Sequence, residues 1–323
     1  MGSIEYLAKC LGLKKEQVQA AKDHEMDYRL IQIPKKDGSF RSIHSPHKAL
    51  KYFQRKLLQE YLYGRTLAGQ DEVIHGFKPH RSCVSNASYH ANRSADFVLK
   101  LDLKDAFPSV TVKHLRDLFG KIFAEHFTNK AETLKEFIDF LLPLVTFNGV
   151  LPQGAPTSPH LLNLVLCNSG LVSKVRGFLK ERGIVALSIY ADDFAVSSVN
   201  PIPNEVKDEL IELIERESDF RINRKKVFYF KRENIAPIVT GLRLVRTTNP
   251  DGTKMTSVRL PKQTVRKIRG LIHRMAHEDS EEVRNSLAKV VRGYLAHAHS
   301  VYGKRLPRQI AIPLKLVREL QRG

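Results

Sequence analysis

The chain has 323 residues, 42% hydrophobic and 27% charged, with a formal net charge of +19. That length carries a sizeable core and two or three subdomains, in an ordinary globular composition. The charge points to a polyanionic partner; no apolar run reaches membrane-span length and no lipidation signal is present, so nucleic acid is expected rather than membrane.

Cys10, Cys83 and Cys167 are scattered, which excludes a disulfide framework and a Cys-rich zinc site. Met1-Gly2-Ser3-Ile4-Glu5 lacks the basic and apolar segments of a signal peptide, so a cytoplasmic protein is expected.

In chain order, helical spacing covers residues 3–30 around Gly12, and Tyr28 to Ile33 alternates as a strand. A turn at 34–38 and a return strand at 39–43 make a basic hairpin carrying Lys35, Lys36 and Arg41. Ser45-Pro46 predicts a helix start, with Ala49, Leu50, Phe53, Leu57 and Tyr61 as its apolar stripe. Residues 69–85 read as irregular. Phe97 to Leu103 alternates, with Asp102 and Lys100 on the polar face. Helices are predicted over 111–123 and 132–147, a rigid loop over 151–159, and a long helix opening at Ser158-Pro159.

Ile184, Leu187 and Ile189, then Phe194, Val196 and Val199, predict a hairpin with Asp192 and Asp193 at its turn. A helix over 204–217 follows, then strands over 226–231 and 237–246 and a turn at 249–252. After Pro261 the pattern is helical. Val265, Ile268, Ile272 and Met275 form one stripe; Lys262, Arg266, Arg269 and His273 form another, suited to phosphate contact. The order of elements predicts an α+β layer with helices on one face of an antiparallel sheet and a cleft on the other.

Alone, Asp192-Asp193 reads as a solvated turn. If its hairpin pairs with the strand of Asp102, three carboxylates converge on a basic protein. Such a set suits two Mg2+ ions and an in-line phosphoryl transfer, with basic groups of the 35–41 hairpin on the phosphates.

Tyr190-Ala191-Asp192-Asp193 resembles the YxDD box of reverse transcriptases. Phe97 to Ser109 resembles their motif with the first catalytic aspartate, Leu151 to Pro159 their LPQG loop, and Asn223 to Lys226 their N-x-x-K motif. Asn86-Ala87-x-x-His90 and Val239-Thr240-Gly241 are similar to the NAxxH and VTG elements of retron reverse transcriptases, bacterial RNA-directed DNA polymerases. Ala106 departs from the pattern, because many retron enzymes carry an aromatic there.

The resemblance implies a right-hand polymerase with fingers, palm and helical thumb. The expected division is 1–95 for N-terminal helices and fingers and 96–245 for palm, with a fingers segment near 110–160. The thumb and RNA-binding region would be 246–323. It implies a metal-binding triad of Asp102, Asp192 and Asp193, with the Leu103 carbonyl as an extra ligand. Arg41 with Lys35 or Lys36 would hold the triphosphate. Phe107 would lie under the incoming sugar, Gln153 near the nascent pair, and Lys226 would protonate pyrophosphate. Asn86, His90, Val239, Thr240 and Gly241 would scaffold the fold, and Lys262, Arg266 and Arg269 would grip RNA. The implied partners are a structured noncoding RNA serving as primer and template, its DNA product, dNTPs and an accessory effector in antiphage defence. Priming from an RNA 2′-hydroxyl would give branched RNA–DNA (msDNA). The alternatives are a group II intron or diversity-generating reverse transcriptase, or a non-catalytic RNA-binding protein on the same fold.

Overall fold

The computed structural model describes residues 2–35, 38–65, 72–128, 130–184, 186–233 and 235–320, with side chains to 315. Leu7, Leu11, Val18 and Ala21 bury the apolar faces of α1 (Ser3–Leu11) and α2 (Lys15–Asp23). Gly12, left-handed at φ 61°, closes α1, so the predicted helical region is two short helices that end by Asp23.

β1 (Tyr28–Pro34) and β2 (Phe40–Pro46) pair antiparallel from Tyr28↔Pro46 to Pro34↔Phe40. Ser45 and Pro46 therefore extend the strand, and the predicted helix start moves to α3 (Lys48–Lys56), capped by His47. A proline is tolerated at a ladder's end, where its missing N–H is least needed. Residues 72–82 hold no helix, as expected of the 69–85 stretch, whose first three residues lie outside the described ones; α4 (Cys83–Ala91) begins at its end and buries Asn86 and His90.

β3 (Phe97–Lys104) is buried on both faces, not one; Val98 and Asp102 are covered as well as Leu99 and Leu101. It is an interior strand, and interior strands read as near-continuous apolar runs. α5 (Ala106–Ser109), α6 (Val112–Phe123) and α7 (Ala131–Val145) follow. Of the residues whose spacing predicts burial, Leu115, Leu118, Ile122, Phe137, Ile138 and Leu141 are buried, and Val112 and Leu134 are half-buried. The helix expected to open at Ser158-Pro159 is α8 (Ser158–Asn168); α9 (Leu171–Glu181) follows it after Gly170, at φ 78°.

Next come β4 (Ala186–Tyr190), β5 (Asp193–Ser198), α10 (Asn204–Arg216), β6 (Arg221–Ile222) and β7 (Phe228–Lys231). The remainder is β8 (Ile238–Val239), β9 (Leu242–Thr248), β10 (Lys254–Arg259), α11 (Lys262–Ala276), α12 (Glu281–Tyr302) and α13 (Arg308–Leu320). The predicted stripe of Val265, Ile268, Ile272 and Met275 is the buried face of α11. Among the described residues no helix is long and apolar enough to cross a membrane.

The chain divides into two compact units. The first comprises residues 1–82, 99–196 and 202–228. Its organising feature is a sheet in the order β4-β5-β3-β6. The second comprises residues 83–98, 197–201 and 229–323. There α4 packs on the β10-β9-β8 sheet, and α11 packs against α12 and α13. The mixture of helices and antiparallel strands is the α+β class expected.

Within the second unit Asp96 accepts from the Arg232 guanidinium and, at 2.9 Å, from Arg246. Both arginines also donate to main-chain carbonyls, Arg232 to Leu244 and Arg246 to Ser94, at 3.0 Å each. Asp96→Ala leaves two largely covered guanidiniums without their carboxylate. It should lower stability by about 2 kcal/mol, read as an earlier urea midpoint. An unchanged midpoint would show that the cluster contributes nothing.

Candidate active site

The carboxylates meet because β5 lies between β4 and β3. Ala191, left-handed at φ 59°, turns the chain between β4 and β5, and Asp192 follows it. The Asp192 carbonyl then accepts from Leu103 N–H at 2.9 Å, which fixes Asp192 beside Asp102. Asp102 is 7% exposed. Asp192 and Asp193 are half-buried.

Cations answer this concentration of negative charge. Lys226 Nζ donates to both Asp102 oxygens, at 2.9 and 3.0 Å. Lys100 Nζ stands 3.6 Å from an Asp193 oxygen. Asn223 clamps Asp102 from a second direction: its N–H donates to the Asp102 carbonyl at 2.8 Å and its Nδ2 to the carboxylate at 3.4 Å. Burial, then the Asp102 charge, pushes the Asp192 carboxyl above its ordinary range. Burial likewise raises Asp193, against the lowering pull of Lys100. The hydrogen bond to Asp102 raises the Lys226 ammonium, which therefore keeps its proton.

Asp102 and Asp192 open onto a cleft of about 790 Å3, which Asp193 does not line. Lys35, Arg41, Asp102, Leu103, Gln153, Asp192 and Lys226 line it together. The basic hairpin reaches the Gln153 loop through His44 N–H, which donates to the Gln153 carbonyl at 2.6 Å. Gly154 makes that approach possible. It sits at φ 123°, and a Cβ there would come within 2.7 Å of both the His44 carbonyl and Ile43 Cγ2. Lys36 lies outside the described residues. Phe107 is half-buried and does not line the cleft; Ala106 and Pro108, on either side of it in α5, do.

Among the described residues no three His, Cys, Asp or Glu side chains form a ready metal cluster. The donor chemistry nevertheless fits a hard divalent cation: carboxylate oxygens, with the Leu103 carbonyl beside them. The ammonium of Lys226, seated on both oxygens of Asp102, marks where positive charge is stabilised.

Residues 33–269 match the reverse transcriptase (RNA-dependent DNA polymerase) family. The chain belongs to this family. It is 33% identical to the retron Mx162 reverse transcriptase of Myxococcus xanthus, over 84% of this chain and 59% of that one. It is 28% identical to the retron Mx65 reverse transcriptase of the same organism, over 92% and 67% of the two chains. It is 29% identical to the retron Ec86 reverse transcriptase of Escherichia coli, over 90% and 81%. The match thus spans well under two thirds of the Mx162 protein.

The elements that resemble retron enzymes lie in the second unit. Asn86 and His90 are buried on α4, and His90 Nδ1 lies 2.7 Å from Ser197 Oγ. Val239 is buried, and Thr240 and Gly241 take left-handed conformations at φ 45° and 76°. Thr240 Oγ1 donates to the Cys83 carbonyl at 2.9 Å, tying this turn to the start of α4. Lys262, Arg266 and Arg269 line a cleft of about 1060 Å3, which Arg243, Arg259, Arg305 and Arg308 also line.

Three contributors escaped sequence reasoning. In the sequence Lys100 and Asn223 read only as strand and motif residues, yet both face the carboxylates. The i, i+2 alternation of Lys100 with Asp102 was the available signal for the first. The third is the segment Val73–Gly76, which pairs with β4 beside the Asp192 turn.

A carboxyl raised by burial is ionised in the folded state at a cost, which appears as pH rises through its pKa. At neutral pH in EDTA, Asp192→Asn removes that cost and should raise the thermal unfolding midpoint. A lowered midpoint would mean that the ionised Asp192 stabilises the fold.

Proposed function

We propose that this chain is a retron-type reverse transcriptase that copies a cognate structured RNA into single-stranded DNA. The observation that carries the reading is the Asp192–Leu103 ladder contact, which sets Asp192 beside Asp102 in a cleft also lined by Lys35, Arg41 and Gln153. Similarity to three retron reverse transcriptases supports the retron type.

Asp102, Asp192, Asp193 and the Leu103 carbonyl would hold the metal, two Mg2+ ions in this reading. When bound, such ions lower the pKa of an attacking hydroxyl and neutralise the leaving pyrophosphate. A cation held by Asp102 would take the place of Lys226, whose ammonium would keep a proton at Nζ for the leaving pyrophosphate. Arg41 and Lys35 supply cations to the triphosphate from the hairpin, and the hairpin is held by the Gln153 loop. Gln153 is fixed through its main chain, so its side chain starts from a defined point near the nascent pair. Phe107, not a lining residue here, acts on the sugar only once substrate reorders that wall.

In this reading the palm (96–245) holds the site, with fingers in 1–95 and thumb in 246–323. The primer is an RNA 2′-hydroxyl and the product branched RNA–DNA. The enzyme works in the bacterial cytoplasm, where dNTPs and transcripts are found, with an effector protein in antiphage defence. The cleft lined by Lys262, Arg266 and Arg269 grips the RNA through its phosphates.

DNA synthesis on a primed RNA template with Mg2+ and dNTPs tests the chemistry. Asp102→Asn, Asp192→Asn and Asp193→Asn should each abolish synthesis with RNA binding retained; normal synthesis by Asp102→Asn or Asp192→Asn would overturn the site. Nucleic acid co-purifying with the protein should contain covalently linked RNA–DNA, whereas intron RNA alone would overturn the retron type. Replacing Lys262, Arg266 and Arg269 together should weaken RNA binding and flatten its log–log salt slope by about 2 to 3 units. An unchanged slope would remove the RNA-grip assignment.

A further inference from the structure

We infer that Gly76 and Asn163 are positioning residues that set the Asp192 turn. The inference rests on the reading of Asp192 as part of the polymerase centre. The segment before Gly76 runs alongside β4: Ile189 N–H donates to Val73 O and His75 N–H to Ile189 O, both at 2.8 Å. Ile74 pairs with Ile189 as a parallel bridge. This added edge ends at Gly76, against the peptide between Tyr190 and Ala191.

Gly76 is required there for space rather than for backbone conformation. Its φ is not in the left-handed range, yet a Cβ would meet Ala191 N at 2.4 Å and the Tyr190 carbonyl carbon at 2.9 Å. Ordinary contact begins near 3.4 Å, so a methyl group demands a shift of about 1 Å. The obstacles are main-chain atoms and cannot swing aside. The residue struck, Ala191, is the one held left-handed at φ 59° immediately before Asp192. Any displacement therefore passes to Asp192 and to its contact with Leu103.

Asn163 holds the brace from the other side. It is 3% exposed, on α8, and its Nδ2 donates to the Gly76 carbonyl at 2.8 Å. The helix that follows the Gln153 loop is thereby joined through one glycine to the aspartate turn. Two parts of the site that are distant in sequence are held in register by Asn163–Gly76–Ala191.

The test uses the full chain carrying Gly76→Ala, Asn163→Asp or Asp192→Asn. The readouts are Mn2+ binding by electron paramagnetic resonance, steady-state synthesis on a primed RNA template, and thermal unfolding. Misplacement by 1 Å should lower kcat by about tenfold to a hundredfold in Gly76→Ala. Asn163→Asp, which adds no atom but removes the donor, should lower it by about tenfold. In both, KM for dNTP should stay within about twofold while Mn2+ binding weakens. A role in stability alone would move the unfolding midpoint and leave Mn2+ affinity and kcat of the folded fraction intact, and that result overturns the inference. If Gly76→Ala does not fold, Asn163→Asp carries the test with the same criteria. Asp192→Asn separates the two claims. If it is inactive while both brace variants behave as wild type, the brace is wrong and the site stands. If it synthesises DNA normally, the polymerase-site reading fails and the brace falls with it.

Discussion

Carboxylates brought together where water is scarce repel one another, and a fold that keeps them there needs positive charge within hydrogen-bond reach. Asp102, Asp192 and Asp193 sit under that constraint, on neighbouring strands β3 and β5 and the turn before β5. Lys226 on Asp102 and Lys100 beside Asp193 meet it in the structure described. The arrangement is unfavourable for stability, as the raised Asp192 and Asp193 carboxyls show. Carboxylate oxygens are also the donors that a hard divalent cation takes, which is the chemistry proposed for them.

The rest of the first unit reads as support for that concentration of charge. Backbone contacts, more than side chains, set the distances: Asp192 on Leu103, Asn223 on Asp102, and Val73 and His75 on Ile189. At Gly76 and Gly154 main-chain segments approach too closely to admit a Cβ, one behind the aspartate turn and one between the basic hairpin and the Gln153 loop. The cleft is thus built largely from ladders and glycine contacts, which are stiff, and its cations are carried on flexible Lys and Arg stems. That combination holds the carboxylates still and lets the lysine and arginine side chains of the cleft adjust.

Local patterns were the legible part of the sequence. The hairpin around Asp192 followed from alternation on both sides of a turn, and the buried face of α11 from its spacing. The convergence of Asp102 with Asp192 was visible as a condition, since it required only that two strands share a sheet. Tertiary pairings were not legible. Ser45-Pro46 carries a good helix-start signal, but pairing of Tyr28 with Pro46 overrides it. The bridge of Val73–Gly76 to β4 involves too few residues to leave a period. The Lys226–Asp102 contact joins residues 124 apart, which composition and spacing do not connect. The motif resemblance supplied candidates, and the structure supplied the partners that hold them.

Anomalous scattering from Mn2+ in crystals grown with dNTP tests the central claim most directly. The account predicts a metal peak coordinated by Asp102 and Asp192, with Lys226 withdrawn from the Asp102 carboxylate. A map with Lys226 still seated on Asp102 and Mn2+ bound only elsewhere would contradict it.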